Sequence, residues 1–458
     1  MLQPINRLPP EIISRIPQYI LQPTDTDARP IIPLTHVCRY WRGSIISTPE
    51  NWTSISCCRT SLVTLSLERS QSVPLRLWLR TDLVRQNPGF CDLIMPYIQN
   101  TKSLQFHRLS AIGDIIQVLP RFPQSMPNLQ SLELIHPNGP EWDPSIDPFE
   151  SFPNTLRSLS LFNIPLYPSF LKLRTLTKLS LRYYKPYPPL GTLLDFLEEN
   201  RSLESVNLAI PFKKDPAQVS QRRAMNMGRL QRLSTTLWDV TVARILTSSI
   251  PLRRGAHLEI TFCHKDVVSA SNDILSGIST AHFSNSSLPT SMEYQSSFRM
   301  IRLTGPNGSF TCTYARPKPG IPFVEFPVLP LANIRELRLA HSDSSTVFPS
   351  SFFPALETLI IECNTGISNL FSALFPNPSL FPSLRTLAFL GCIITEEFMR
   401  RLTEFASYRK NTTSARVHRI LFIHEDGKFP SAMSIRALRS TVTIVDVRVD
   451  DKLPMDLT

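Results

Sequence analysis

Apolar residues recur along much of this chain at the first, fourth and sixth positions of a short pattern. Seven segments share the pattern, and they begin at Leu129, Leu156, Leu176, Leu203, Ile334, Leu356 and Leu384. Intervals of 20 to 28 residues within the group from Leu129 to Leu203 and within the group from Ile334 to Leu384 are typical of arrays in which each unit supplies one strand of a parallel sheet and a helix or turn outside it. One unit cannot bury its own apolar face, so the pattern predicts stacked units.

The remaining positions of each strand predict a binding surface. Because side chains alternate along a strand, the third, fifth and seventh positions are expected on the concave, outward face, opposite the core. Eight such positions are candidates for contacting a target: Glu133, Phe162, Lys178, Arg182, Asn207, Glu336, Arg338 and Glu362. Both charge signs and an aromatic ring are present, which favours a protein or peptide over a polyanion.

The pattern becomes irregular between about residues 230 and 330. Alternation at Leu258, Ile260 and Phe262 predicts one strand there. Two further strands, 298–303 and 309–314, are predicted around Gly305-Pro306-Asn307-Gly308, because such turn residues favour a hairpin. Residues 316–330 are rich in proline and predict an extended connector.

The C-terminal part continues the array. Residues 396–408 predict a helix that buries Phe398, Leu402 and Phe405 on one face. Val417 begins a further plausible unit, and residues 442–449 predict a closing strand. Charges at Asp446, Arg448 and Asp450 are expected to protect the exposed edge of that strand.

The N-terminal stretch predicts two short amphipathic helices. The first begins at Leu8-Pro9-Pro10-Glu11-Ile12-Ile13, where a proline in the first turn costs no hydrogen bond. Pro17 is expected to end that helix or to cost it roughly 3 kcal/mol. The second, within 31–47, places Leu34, Val37, Cys38, Trp41 and Ile45 on one continuous helical stripe. About fifty residues are too few to bury a core unaided, which indicates a partner.

These residues resemble the F-box, a helical module that docks onto the Skp-type adaptor of a cullin ubiquitin ligase. The resemblance rests on Leu8-Pro9 with Glu11-Ile12, on Val37-Cys38 with Trp41-Arg42, and on Pro49 with Trp52. Segment 67–70, Leu-Glu-Arg-Ser, is similar to one that follows the module in fungal F-box proteins. The family implies adaptor contacts at Leu8, Pro9, Ile12, Ile16, Leu34, Val37, Cys38 and Trp41. The alternative is a helical cap on the open end of the array, with Trp41 and Trp52 in its core.

The predicted organisation is an α/β chain. It comprises an F-box module (1–60), a helix-strand linker (61–80) and a leucine-rich-repeat-like solenoid (81–458), whose curved parallel sheet carries helices or turns on its outside. Apolar content of 42% among 458 residues is a globular value. Many of the 41 prolines stand just before a leucine segment, so proline spaces the units.

Charge and cysteine content narrow the partners and the compartment. The formal net charge of +11 is spread along the chain, and without a basic run or a zinc-finger spacing it disfavours nucleic acid. The eight cysteines show no C-x-x-C pair, which favours free thiols in a reducing compartment. No leader and no apolar stretch of membrane-spanning length is present. We therefore expect an intracellular protein, cytoplasmic or nuclear, without a membrane partner.

Catalytic motifs are not apparent. The sequence has no phosphate-binding glycine loop, no H-E-x-x-H and no G-x-S-x-G. The acidic residues Glu141, Asp143, Asp147 and Glu150 could bind a cation, although a solvated loop is the favoured interpretation. Cys38 is expected to be a packing residue, and His257 and His264 have no partner at ligand spacing. No enzyme activity, metal or cofactor is predicted. The expected function is therefore target capture by a ligase substrate receptor, with a non-catalytic scaffold as the alternative.

Overall fold

The computed structural model describes residues 8–20, 31–56, 60–80, 89–107, 126–136, 154–182, 189–209, 227–239, 256–263, 289–295, 300–305, 308–314, 331–340, 353–362, 381–412, 416–424 and 430–449, together with single positions between these ranges. The contacts divide the chain into two units, Met1–Gln218 and Val219–Thr458. Each unit combines helices with a sheet of mainly parallel strands, in agreement with the predicted α/β repeat architecture.

The first unit opens with a helical module. It consists of α1 (Pro10–Ile20), α2 (Ile31–Thr35), α3 (Arg39–Ile46) and a 3-10 turn (Pro49–Trp52). The module has a small apolar core of its own, formed by Ile13, Ile31, Trp41, Ile45 and Trp52. Helix α1 begins at Pro10, as the proline pattern predicts.

The continuous stripe predicted across residues 31–47 is wrong. The chain leaves the helical conformation at Cys38, where φ is −161° and ψ is 172°. Cys38 is the N-cap of α3, and its Sγ accepts a hydrogen bond from the Trp41 amide at 3.5 Å. Apolar spacing does not reveal such a break, because the capping residue occupies an apolar position in the pattern.

Of the two outcomes predicted for Pro17, an end to the first helix or an energetic cost within it, the first does not occur. Helix α1 continues through Pro17 to Ile20, and the Pro17 ring is buried. Burial of the ring offsets part of the cost of the hydrogen bond that proline cannot donate. The loop that follows, residues 21–30, lies outside the described residues.

The sheet of the first unit consists of parallel strands in chain order. They are β1 (Ser54–Ser56), β2 (Leu75–Arg80), β3 (Thr101–His107), β4 (Ser131–Ile135), β5 (Ser158–Phe162), β6 (Lys178–Arg182) and β7 (Ser205–Ala209). The helices of this part are α4 (Thr60–Ser70), α5 (Gly89–Ile94), α6 (Pro168–Leu171) and α7 (Leu190–Glu199). Strands β4–β7 are the four predicted units, with their leucines in the core.

The segment predicted as a helix-strand linker, residues 61–80, contains α4 and β2. Strand β2 pairs with both β1 and β3, so this segment contributes a strand to the sheet. Leu65 of α4 packs against the core of the helical module.

The sheet of the second unit has an inverted central part. Its strands are β8 (Arg232–Leu237), β9 (His257–Phe262), β10 (Ser291–Gln295), β11 (Met300–Gly305), β12 (Gly308–Tyr314), β13 (Glu336–Ala340), β14 (Thr358–Glu362), β15 (Thr386–Leu390), β16 (Arg419–His424) and β17 (Ile444–Val449). Pairing gives the spatial order 8-9-12-11-10-13-14-15-16-17. Only β11 among these strands runs antiparallel to its neighbours.

This inversion explains the irregular middle of the sequence. The hairpin β11–β12, with Gly305 opposite Gly308, fills the space between β9 and β10. The predicted hairpin is thus confirmed over β11 and β12, and residues 298–299 of the first predicted strand lie outside the described residues. The proposed connector, 316–330, lies outside the described residues.

The C-terminal elements follow the prediction closely. Helix α8 (Glu396–Thr412) buries Phe398, Leu402 and Phe405, and helix α9 (Ala432–Arg439) lies between β16 and β17. The closing strand is confirmed, and Asp446 on it forms an ion pair with Arg419 at 3.7 Å. The 3-10 turn Leu331–Asn333 precedes β13.

One part of the outward face departs from the expected polar pattern. On β14–β16 five outward positions are apolar and only 3–8% exposed, namely Ile360, Ala388, Leu390, Leu421 and Ile423. Charged residues on the same face stand at the strand ends, at Glu362 and Arg419. The middle of these strands is therefore apolar on both faces, which is typical of strands covered on both sides.

Candidate protein-interaction surfaces

The helical module exposes apolar side chains although it has a core. Ile12 is 47% exposed, Val37 is 52% exposed, and Ile32 and Tyr40 are also exposed. The Tyr40 hydroxyl donates a hydrogen bond to the Leu8 carbonyl oxygen at 3.0 Å. This bond joins α3 to the start of α1 and so fixes two of the elements that carry the exposed side chains.

The eight predicted adaptor-contacting residues divide into three groups. Pro9, Ile12 and Val37 are exposed. Leu8, Ile16, Leu34 and Cys38 are half-buried and pack against the module core. Trp41 is 4% exposed and belongs to that core. The structure thus leaves three of the eight fully available to a partner.

Ile32 and Tyr40 were missed by the sequence analysis. Ile32 follows the buried Ile31, and the apolar run gave no sign that only one of the two faces inward. Tyr40 lies between the N-cap Cys38 and the buried Trp41, so its exposure depends on the break in the helix that the pattern did not reveal.

The module is joined to the array by an aromatic contact. The guanidinium carbon of Arg69, on α4, lies 4.4 Å from the centroid of the Trp52 ring. The Trp52 indole Nε1 donates to the Ile45 carbonyl oxygen at 3.2 Å. The 3-10 turn is thereby bound both to α3 and to α4.

The outward face of the first unit has a floor of small polar side chains. Cross-strand register aligns Ser103, Ser131, Ser158, Lys178 and Ser205 in one row, and Gln105, Glu133, Ser160, Ser180 and Asn207 in the next. Serine side chains are short, so a partner can approach the backbone of β4–β7 closely. The Ser180 Oγ is buried and forms no hydrogen bond with the described residues.

Positive charge exceeds negative charge on these strand positions. The cations are Arg76, Arg80, Lys102, Lys178 and Arg182, and the one carboxylate is Glu133. Lys178 and Arg182 are exposed. Burial raises the pKa of Glu133, and the nearby Arg182 charge opposes that rise.

An aromatic pair lies toward the start of the same face. The rings of Trp78 and His107 stack with centroids 5.1 Å apart and an interplanar angle of 12°. Burial, and then the charge of Arg80, lowers the pKa of His107, so its imidazole is neutral at pH 7. The pair adds aromatic surface without adding charge.

The outward face of the second unit has balanced, paired charges. Its strand positions hold the cations Arg232, Arg302, Arg338, Arg419 and Arg448 and the anions Glu259, Glu293, Glu336, Glu362 and Asp446. Arg302 pairs with Glu293 at 2.9 Å, and Arg338 pairs with Glu362 at 2.6 Å. Burial raises the pKa of Glu336, and Arg338 opposes that rise.

All eight predicted target-contacting residues lie on outward faces, but not on one surface. Five belong to the first unit, namely Glu133, Phe162, Lys178, Arg182 and Asn207. Three belong to the second unit, namely Glu336, Arg338 and Glu362. Phe162 is directly opposite Arg182 on the neighbouring strand. The sequence analysis missed Trp78, His107 and Arg302, because their strands lack the full apolar signature.

The candidate chemical groups have structural partners. Asp147 accepts hydrogen bonds from the Phe149 amide at 3.0 Å and from the amide and hydroxyl of Ser169, each at 2.9 Å. His257 Nδ1 is hydrogen-bonded to the Ser309 hydroxyl. Glu141, Asp143, Glu150 and His264 lie outside the described residues.

Within the described residues, no three histidine, cysteine or acidic side chains cluster as metal ligands. The described helices include none with the length and apolarity to cross a bilayer.

Comparison with known proteins adds little to this geometry. No protein-family model matches the sequence, and no curated protein matches it. Among solved structures, the chain is similar to the leucine-rich repeat-containing protein LegL7 from Legionella pneumophila, at 13% identity. The match covers 79% of this chain and 87% of that one, with a TM-score of 0.23. A superposition this loose carries no weight for fold or function.

Proposed function

We propose that this protein is a non-catalytic substrate receptor of a Skp-cullin-F-box ubiquitin ligase. The helical module docks onto the Skp-type adaptor, and through it onto a cullin, while the outward faces hold a protein target. The receptor forms and breaks no bond. It raises the effective concentration of target lysines near a charged ubiquitin-conjugating enzyme.

The observation that carries this proposal is the exposure of Ile12 and Val37 on a module that otherwise closes its own core. Exposed apolar side chains grouped on one small module are typical of interaction sites. The order of residues that resembles the F-box lies on the same helices. Together these two features support docking of a protein through α1 and the α2–α3 junction.

The energy available from this surface is modest. Covering the exposed parts of Ile12, Ile32, Val37 and Tyr40 yields on the order of 4 kcal/mol. Burial of about six apolar side chains of the predicted stripe would have yielded on the order of 10 kcal/mol. The structure offers less, because Trp41 already lies in the module core and its apolar neighbours pack against that core. Association costs are of similar size or larger, so polar contacts have to contribute to docking.

A second candidate is a scaffold in which the module only caps the array. The contact of Arg69 with Trp52 and the packing of Leu65 against the module core favour it. Both contacts join the module to α4 and cover apolar surface. A cap needs no adaptor, so adaptor binding separates the two functions.

The test is co-expression of the full chain with its cognate Skp-type adaptor, followed by size-exclusion chromatography. We expect a one-to-one complex with the wild-type chain and its loss in the Ile12→Asp/Val37→Asp double variant. Met433→Asp is the matched control, because Met433 is 83% exposed on α9, far along the chain from the module. Separate elution of a folded wild-type chain would contradict the ligase function and favour the scaffold.

Point variants distinguish the ligase receptor from the scaffold better than a deletion of the module does. Removing residues 1–60 also removes β1 and uncovers Leu65, so aggregation of the deleted protein is expected under either function.

A further inference from the structure

The outward faces of the two units differ in charge. The described strands of the first unit hold five cations and one carboxylate, whereas those of the second unit hold five of each sign. Ion pairs in the second unit, such as Arg302 with Glu293, satisfy charges internally. An excess of unbalanced positive charge attracts an anionic partner and raises its rate of association.

The excess charge is placed for direct contact. Lys178 and Arg182 are both exposed and lie on the same face of β6, four residues apart. Among the described residues, neither forms an ion pair within 4 Å. At about 3.3 Å per residue, their backbone positions are about 13 Å apart. Carboxylates four residues apart on an extended peptide have the same spacing.

The surface between these cations suits a peptide. Ser180 lies midway between them, and its short side chain has a covered Oγ, so it leaves space above the strand without itself contacting a peptide. The neighbouring outward positions are the short side chains Ser158, Ser160 and Ser205. Serine hydroxyls donate hydrogen bonds to carboxylate or carbonyl oxygens, and their small size leaves the long cationic side chains standing above the floor.

We propose that the outward face of the first unit binds an extended acidic peptide segment, with Lys178 and Arg182 contacting its carboxylates and the serine rows contacting its backbone. The identification of this segment as part of a ligase target rests on the proposed function. The binding itself does not. Nucleic acid is the competing anionic partner, but the described strands of this face offer only the Trp78–His107 pair and the separate ring of Phe162, which do not form a continuous series on which bases could stack.

The probe is a fluorescein-labelled hexaglutamate peptide, titrated with the full-length protein by fluorescence anisotropy. At low salt we expect saturable binding that weakens steeply as salt is raised, because the contacts are exposed charges. A hexalysine peptide should not bind. Absence of hexaglutamate binding at low salt would overturn the proposal.

Two charge-reversal variants localise the binding. Lys178→Glu/Arg182→Glu should weaken hexaglutamate binding about tenfold or more. The matched control is Lys172→Glu/Arg201→Glu, which changes the same residue types and the same net charge at exposed positions of the same unit outside its strands. The control should weaken binding less than about twofold. Equal losses in both variants would show a response to overall charge and would overturn the assignment to this face.

A variant with the opposite sign excludes misfolding as the cause. Glu133→Gln removes the one carboxylate among these strand positions, so it should strengthen hexaglutamate binding about twofold to fivefold. A twelve-nucleotide oligouridylate is titrated in parallel. Tighter binding of the oligouridylate, lost in the same β6 variant, would overturn the peptide assignment in favour of nucleic acid.

Adaptor binding is measured on the same proteins. Lys178→Glu/Arg182→Glu should still co-elute with the adaptor. If the wild-type chain binds hexaglutamate but not the adaptor, the ligase function fails and the peptide site stands. If it binds the adaptor but not hexaglutamate, the acidic-peptide site fails and the ligase function stands.

Discussion

Arg69 lies across the ring of Trp52, with its guanidinium carbon 4.4 Å from the ring centroid. Trp52 ends the helical module, and Arg69 belongs to α4, which leads into the sheet. The indole is almost completely buried and also donates to the Ile45 carbonyl oxygen. One residue therefore connects the module core, its last turn and the first helix of the array.

Replacing either partner should loosen this junction by different amounts. Trp52→Ala should reduce the free energy of unfolding by about 3–5 kcal/mol, because a large buried side chain is lost. Arg69→Ala should cost about 1 kcal/mol, the usual size of a cation-π contact. Urea denaturation checks both values, with Arg39→Ala, an exposed arginine of α3, as the control. Equal effects of the two arginine variants would show that the ring contact is not stabilising.

Trp41 and Val37 should separate packing from docking. Trp41→Ala should lower the free energy of unfolding by about 3–5 kcal/mol, since the ring lies in the module core. Val37→Asp should change stability by less than about 0.5 kcal/mol, because the side chain is half exposed, yet it should weaken adaptor binding. Thermal unfolding and adaptor co-elution measure the two effects independently. A strongly destabilised Val37→Asp variant would place Val37 in the core instead.

The repeat strands were predictable because each strand buries its leucine face in the core and leaves the other face partly exposed, which imposes a period of two residues. Leu132 and Leu134 of β4 alternate with half-buried polar residues, and the same alternation identifies β5, β6 and β7. Strand β3 was not predicted as a repeat unit, because the buried Thr101 occupies the position at which the other units have a leucine. Strand β10 escaped because its pairing with β13 joins segments that are distant in sequence.

The interaction surfaces were less predictable, because they depend on tertiary contacts. The outward orientation of Lys178 and Arg182 follows from strand alternation alone. The burial of Ile360 and Leu421 on the outward face does not follow from it, since side-chain alternation along a strand assigns those positions to solvent. Likewise, Trp41 and Val37 share one stripe in the sequence, and only the break at Cys38 places one inside and the other outside.

Glu133 should make stability depend on pH. Burial raises its pKa in the folded state, so the folded protein binds this proton more tightly than the unfolded chain does. Ionised Glu133 therefore lowers the free energy of unfolding as the pH rises through the raised pKa. This penalty disappears as the pH falls below the ordinary carboxyl pKa.

Glu133→Gln removes that penalty. The variant should melt at a higher temperature than the wild-type protein at about pH 7.5, and the difference should shrink toward about pH 4. Calorimetry across this range measures the effect, and Glu50→Gln, at an exposed position, is the control. A variant that melts below the wild-type protein at about pH 7.5, by a deficit that shrinks toward about pH 4, would mean that the Arg182 charge, and not burial, dominates at Glu133.

A buried arginine should stabilise the C-terminal part of the second unit. Arg409 of α8 is completely buried, and burial lowers its pKa. Its Nη1 and Nη2 each donate to the Phe381 carbonyl oxygen at 3.1 Å, and Nη2 also lies 3.4 Å from the Leu384 carbonyl oxygen. Phe381 has a φ of 56°, a conformation that is strained for a bulky residue, so the guanidinium supports the strained turn that precedes β15.

Arg409→Met keeps much of the side-chain volume but removes the guanidinium donors from these buried carbonyl groups, so that the Phe381 oxygen keeps only the bond from the Leu384 amide at 3.0 Å. We expect a loss of about 3 kcal/mol in the free energy of unfolding. Arg409→Lys should recover only part of it, because an ammonium group cannot reproduce the planar fork of donors. The control is Lys410→Met, which removes the neighbouring exposed cation and its bond to the Ser440 carbonyl oxygen and should cost less than about 1 kcal/mol. Urea denaturation of the three variants decides the matter: if Arg409→Met is as stable as the wild-type protein, the charge is a cost that apolar packing can replace, and the turn at Phe381 holds its conformation without it.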